Sequence, residues 1–280
     1  MEIELAEQHV YALDERLTVD EIRQRAMDKR TGAFSSGIGG LLQRPKSEDI
    51  ELVASQRRLE PFWHVACQAT YVYDRSRTYS VPISGPEVRE LTVHGQEHPV
   101  SGGVFSLPTV EHCRDEFSNA IFVDGVSGAP SADAPSLIGG TRREISVLAT
   151  LEENETVVLP PEQRASFVVR QLLGTMMKPV QADSVTEETM RVQHVDLYYR
   201  PWWAFEFVWK PKDKRAVVEL DAITGQLRPG QALVDRVSKM MNRDALFDIG
   251  ADTVGLLVPG GSIAVKVAKM AMDSGSKPQA

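Results

Sequence analysis

Two stretches of the chain share an unusual order: a proline, then two aromatic residues, then a run that alternates in polarity. Pro61-Phe62-Trp63 opens "PFWHVACQATYVYD", and Pro201-Trp202-Trp203 opens "PWWAFEFVWK" 140 positions later. Period two places successive side chains on opposite faces of a strand. Trp63, Val65, Cys67, Ala69 and Tyr71 therefore share one face of the first run, and Trp203, Phe205, Phe207 and Trp209 one face of the second. Each run then meets a basic stretch, "DRSRT" or "KPKDKR", followed by "YSVPI" or "AVVEL". Strand, polar turn and strand is the pattern of a hairpin. A strand with one apolar face needs a cover, and the sequence upstream of each hairpin supplies a helix.

In the first copy Thr18 is placed to cap a helix, Glu21 to reach back to the cap amide, and Leu17 to pack on Ile22. In the second, Leu159-Pro160-Pro161-Glu162 puts proline and acid where a helix begins. The stripe Ala165, Val168, Val169, Leu172, Leu173, Met176 and Met177 then has the spacing of a helix lying on a sheet. "EIEL" at the N-terminus matches "EISV" at residues 144–147. A chain of 280 residues suits two domains. The expectation is an α+β protein of tandem, duplicated helix-on-antiparallel-sheet lobes with a C-terminal helical appendage. Residues 1–125 form the first lobe, with an insertion at 84–123 that adds a strand pair or small subdomain. Residues 126–141, rich in small residues, are the linker, 142–228 the second lobe, and 229–280 the C-terminal segment.

The run "KRAVVELDAITGQL", a valine-rich strand closed by Asp221, Thr224 and Gly225, resembles the PepSY domain, a small cystatin-like helix-on-sheet module. The resemblance spans residues 160–227. "YSVPISGPE" in the first copy has no Asp-x-x-Thr-Gly, so the likeness there rests on the repeat. It implies a binding or inhibitory module without catalytic residues of its own.

Trp203, Phe205, Phe207 and Trp209 are expected to pack under the methionine-rich helix, which leaves Trp202, on the other face, as an interface candidate. Val234, Val237, Met240 and Met241 form an apolar stripe beyond the second copy, and Leu256 and Leu257 follow in a glycine-punctuated run. Self-association, docking on a protein partner, packing within the chain and peripheral membrane contact are open for this segment. His94, His98, His112 and Cys113 have metal-ligand character and suggest zinc, with Glu97 or Glu111 as general base beside an open coordination position. Cys113 with His112 as nucleophile and base needs a bulge, since strand neighbours point apart. "GIGGLL" lacks the spacing of a phosphate loop, and no other cofactor is suggested.

Acidic residues outnumber basic ones 39 to 31, which gives no long-range attraction to nucleic acid. The basic stretches around Arg75, Arg77, Lys210, Lys212, Lys214 and Arg215 read as solvated turns. The acidic N-terminus does not read as a secretion signal, no apolar run is long enough to span a bilayer, and two cysteines suit reduced thiols. These features point to the cytoplasm. Two functions from different classes follow: a non-enzymatic adaptor or assembly subunit, and a zinc-dependent hydrolase centred on His94 to Cys113.

Overall fold

The structure is a computed structural model that describes residues 1–34, 45–147, 151, 156–229 and 264–267. In chain order the elements are β1 (Glu2–Leu5), β2 (Gln8–Leu13), α1 (Val19–Lys29), β3 (Ile50–Pro82), β4 (Glu90–Val93), β5 (Gln96–Pro99) and β6 (Val104–Asp124). They continue as α2 (Ala134–Leu137), β7 (Arg142–Glu144), β8 (Val157–Val158), α3 (Ala165–Met176), β9 (Ser184–Trp209), β10 (Lys214–Asp221), β11 (Leu227–Pro229) and β12 (Ala264–Val267). Ten of these strands join one mixed sheet, with β4 and β5 pairing apart as a small hairpin. The expected tandem lobes, each a helix on its own sheet, are overturned: the molecule is mostly β and both copies lie in the same sheet.

The sheet is built on β3 and β9, which run antiparallel side by side from Ile50↔Trp209 to Asp74↔Ser184. Glu60 faces Arg200, Leu59 faces Pro201 and Pro61 faces Tyr199, so the two prolines flank one residue pair symmetrically. An antiparallel pair has local two-fold symmetry about such a point. Here the symmetry extends outward. Each strand carries a bulge seven residues before that pair, at Val53 in β3 and Gln193 in β9. β6 pairs β3 with Phe62 opposite Asp124, and β10 pairs β9 with Trp202 opposite Asp221. β2 runs parallel to β9 with Ala12 opposite Tyr199, and β8 runs parallel to β3 with Val158 opposite Leu59.

Each half thus lends its parallel strand and its helix to the hairpin of the other. Helix α1, from the first half, covers Phe205, Phe207, Trp209, Val218 and Leu220 of the second through Ile22 and Ala26. Helix α3, from the second half, covers Trp63, Val65, Cys67, Ala69 and Tyr71 of the first. The aromatic run at Trp203 to Trp209 therefore does not pack under the methionine-rich helix. Alternation and helical spacing identify which faces are buried, but not which helix covers which strand, and exchange of equivalent elements satisfies both equally.

Local signals held where the chemistry is local. Thr18 and Glu21 form the reciprocal capping box, with Thr18 N–H donating to Glu21 Oε2 at 2.8 Å and Glu21 N–H to Thr18 Oγ1 at 3.3 Å. The stripe of α3 is buried from Ala165 to Met176. That helix begins at Ala165 rather than at the prolines, because Glu162 and Gln163 donate their N–H groups to Gly125 O at 2.8 and 2.9 Å in a bend before it. "DRSRT" is not a turn. It lies inside β3, and residues 104–123 of the expected insertion, with Asp124, return as β6, pairing β3 from Pro82↔Val104 to Phe62↔Asp124. "EISV" does not mirror "EIEL": Glu144 pairs with Tyr11 on β2, whereas β1 pairs with β9. Residues 126–141, expected as the linker, hold a turn and α2, whose Ala134 and Leu137 are buried. In the C-terminal segment, Ala264–Val267 is a strand parallel to β1, not helix. "GIGGLL" lies outside the described residues.

Candidate functional site

Among the described residues, α1 and α3 lie on one face of the sheet and the other carries only the single turn of α2, so the polar side chains there have no described helix layer above them. The same motif closes both hairpins on that side. In Asp221-Ala222-Ile223-Thr224-Gly225 the aspartate carboxylate accepts from Ile223 N–H and from Thr224 Oγ1, both at 2.7 Å, and Gly225 N–H returns to Asp221 O at 2.9 Å. In Asp124-Gly125-Val126-Ser127-Gly128 the carboxylate accepts from Val126 N–H at 3.1 Å and from Ser127 Oγ at 2.8 Å, and Gly128 N–H returns to Asp124 O at 2.9 Å. Gly225 and Gly128 both take positive φ, 72° and 77°, which L side chains resist. The first copy therefore has an Asp-x-x-Ser-Gly counterpart of Asp-x-x-Thr-Gly, at the end of β6 and not after Tyr79.

These turns are where the halves lock. Gly125 N–H and Ala222 N–H donate to the carbonyls of Pro61 and Pro201, at 2.8 and 3.0 Å. Ala222 O in turn accepts from Arg16 and Leu17 N–H, just before α1, as Gly125 O accepts from Glu162 and Gln163 just before α3. The motif is thus a structural clasp. It seats the start of each helix on the hairpin of the opposite half.

Around the second clasp lies a buried ionic bed. Arg200 donates its Nε–H to Asp221 at 2.9 Å and also pairs with Asp133 at 2.7 Å. Burial works to raise the Asp133 carboxyl, but the Arg200 guanidinium outweighs it and holds that group below the usual carboxylate range. Arg58 and Arg228 each donate to Glu219 at 2.6 Å, and Arg228 also holds Glu60. Trp202 is not open to a partner. It is 6% exposed, with the Arg228 guanidinium 3.8 Å above its ring, whereas Trp203 on the helix face is only partly buried.

A row of polar and aromatic side chains crosses the helix-free face where His9 of β2 faces Asp196 of β9, which faces His64 of β3, which faces Phe122 of β6. His194, two residues before Asp196, joins the row. Asp196 Oδ2 lies 3.5 Å from His64 Nδ1 and 3.4 Å from His194 Nδ1. The His64 ring stacks on Phe122 at 4.6 Å and on His194 at 5.3 Å between centroids. Beside them Tyr198 stacks between Tyr11 and Phe62, and burial together with the Asp196 charge pushes its hydroxyl up to about 12. Period-two reading shows that His194 and Asp196 share a face, but His64 meets them only through the β3–β9 register.

The histidines and cysteine expected to gather do not converge. His94 occupies the β4–β5 turn at φ 52°, and His98 of β5 lies against Phe105. His112 of β6 pairs with Asp74 at 2.7 Å, seven positions along the strand from Phe105, about 23 Å at ~3.3 Å per residue. Cys113, next to it, faces the other way, and both cysteines are free thiols. Val234, Val237, Met240, Met241, Leu256 and Leu257 lie outside the described residues. Among the described residues no helix is long and apolar enough to cross a membrane.

Past Asp74, among the described residues, only β3 and β6 continue, for eight pairs from Arg75↔Glu111 to Pro82↔Val104, and residues 76–80 are exposed on both faces. Glu111 is the tie across this ribbon, accepting from Tyr79 Oη and from Arg75. Those two bonds hold its carboxyl below the ordinary range. Comparison of the chain with protein-family models, with curated proteins and with solved structures finds no match.

Proposed function

We propose that the chain is a non-enzymatic adaptor or assembly protein that takes up an extended segment of a protein partner, or of a second copy of itself, along the two-stranded ribbon of residues 75–82 and 104–111. The observation that supports this is the ribbon itself: eight pairs with no further strand on either outer edge among the described residues. A two-stranded ribbon is marginal on its own in water, and an unpaired edge is a template for another strand. Tyr79, Val104 and Val110 are exposed along it, apolar contacts that an added strand would cover. The resemblance of residues 160–227 to the PepSY domain, a module without catalytic residues of its own, supports this reading. The hydrolase alternative lacks a converged ligand set at His94, His98, His112 and Cys113.

Asp74 and His112 face each other, so residues 75–111 can be replaced by an Asn-Gly turn that closes the hairpin there. Full-length and shortened proteins are compared at matched concentration by sedimentation, and in selection from a library of displayed random peptides. The full chain is expected to self-associate or to select extended, alternately apolar peptides. The shortened protein should do neither, with its melting temperature little changed. Identical behaviour of the two proteins, both folded, rejects the proposal.

A further inference from the structure

We infer that His64, His194 and Asp196 form a binding site for one divalent transition-metal ion of the zinc type on the helix-free face, separate from the ribbon and independent of the assembly reading. Their ligand atoms lie within 4.8 Å of one another. The spacings tell a shared ion from a hydrogen bond. Zinc bonds of ~2.0–2.1 Å at tetrahedral angles put neighbouring ligand atoms ~3.3–3.4 Å apart, whereas N–H···O bonds close to ~2.9 Å. Asp196 Oδ2 stands 3.5 and 3.4 Å from the two imidazole Nδ1 atoms. Elsewhere in the molecule the pairs His9–Glu144 and His112–Asp74 both close to 2.7 Å. The two kinds of contact are distinct in one chain.

Burial supplies the second, independent observation. His64 is 8% exposed and its Nδ1 has no hydrogen-bond partner. A buried ring nitrogen left unpaired is destabilising, and a ligand bond removes that cost. Asp196 is 4% exposed, and among the described residues its only ion-pair partners are the two histidines. A buried carboxylate needs a positive charge, which a divalent ion provides without protonating either ring. Phe122 stacked on His64 fixes that ring, so little freedom is lost on binding. His194 is exposed and gives the ion a path from solvent. Two imidazoles and one carboxylate leave a coordination position for water or for a donor atom on a partner.

The full-length chain is stripped with EDTA, dialysed, and titrated with zinc chloride in a calorimeter, with magnesium chloride as the control. One zinc per chain, no response to magnesium, and a melting temperature raised by zinc and returned by EDTA are expected. Loss of groups that merely orient ligands weakens metal sites ~10–100-fold, so His194→Ala and Asp196→Asn should each weaken zinc binding by at least about tenfold. His194 is exposed and Asn matches Asp in shape, so both variants should fold, which circular dichroism checks. His112→Ala, at the base of the ribbon, should bind as the native chain does. Cobalt in place of zinc should give the intense visible absorption of a four-coordinate site. The inference is overturned if the native chain takes up no zinc, as expected of a cluster held by protons alone. It also falls if His194→Ala and Asp196→Asn bind zinc unchanged, if His112→Ala loses it, or if the cobalt spectrum is that of a six-coordinate ion.

Discussion

The two hairpins of this molecule begin alike and end differently. Both leave a proline–aromatic pair at the centre of the sheet and both close with an aspartate clasp. The second spans eight residue pairs and reverses through Lys210–Lys212 with Asp213 in the left-handed region; the first spans twenty-one pairs and ends beyond the sheet. The shared part is what the halves need in order to hold each other, because each clasp receives the helix of the other half. The unshared part contributes nothing to that lock. Under the proposed function, fold and binding surface are separable: the symmetric centre holds the two halves together, and what differs between the copies lies outside that lock.

The largest test of the shared part is at the equivalent tryptophans. Trp63 is fully buried beneath α3 and donates its indole N–H to Gln163 O at 2.9 Å, while Trp203 is only partly buried beneath α1. Trp63→Ala should lower the unfolding free energy by about 3–5 kcal/mol, and Trp203→Ala by about half of that. Denaturant titration measures both. Equal losses would mean that the two helices cover their hairpins equally well, against the packing seen.

The clasps come next. Asp221 is fully buried and holds Arg200, whereas the Asp124 carboxylate is partly buried and bonds the N–H and hydroxyl groups of its own turn. Removing one partner of a buried ion pair leaves the other uncompensated, so Asp221→Ala should cost about 3 kcal/mol, toward the low end because Asp133 still holds Arg200. Asp124→Ala should cost about 1–2 kcal/mol, as for the loss of a capping side chain. Gly225→Ala and Gly128→Ala force a side chain into positive φ at about 1–2 kcal/mol each. Gly225 should suffer more, since a Cβ there also meets Leu17 and displaces the Arg25 guanidinium. A larger loss at Asp124 than at Asp221 would reverse the ranking of the two locks.

How much of this was legible follows from the range of each interaction. The capping box, the α3 stripe and the buried faces of both runs depend on neighbours a few positions apart, and they read correctly except at Trp202 and Trp203, where the more deeply buried ring lies on the other face. The offset between Pro61 and Pro201 correctly marks equivalent positions, but exchange of helices between halves leaves no trace in periodicity. The clasp at Asp124 was readable as Asp-x-x-Ser-Gly; it was hidden by the strand length, since β3 runs through the basic "DRSRT" and postpones the turn. That stretch is polar because the ribbon is wet on both faces, and polarity alone does not separate such a strand from a turn. His64 and the His194/Asp196 pair lie some 130 positions apart and meet only by strand register. The residues close in sequence, His94 to Cys113, do not meet: His94 and His98 lie in the separate β4–β5 hairpin and His112 and Cys113 on β6 where the ribbon joins the sheet.

The smallest effect separates the two hairpins through their cysteines. Cys67 lies on the helix face of β3, fully buried, and burial pushes its thiol up to about 11; Cys113 lies in β6 opposite Tyr73 and is partly open. Thiolate is the reactive form, so at neutral pH a disulfide reagent should label one thiol per native chain, at Cys113, and the second only on unfolding. Cys113→Ser should abolish the native label without a measurable change in melting temperature. The sign at alkaline pH follows from which state keeps its proton. The folded chain holds the Cys67 proton up to about 11, while the unfolded thiol loses it from its ordinary value near 9. This contribution to stability is complete below that ordinary value and is lost as pH rises toward 11, by at most about 1.4 kcal/mol per pH unit. Cys67→Ala should flatten that alkaline limb, and Cys113→Ser should leave it as it is. A native chain that labels at both thiols would place Cys67 within reach of solvent and break the seal that α3 makes over the first hairpin.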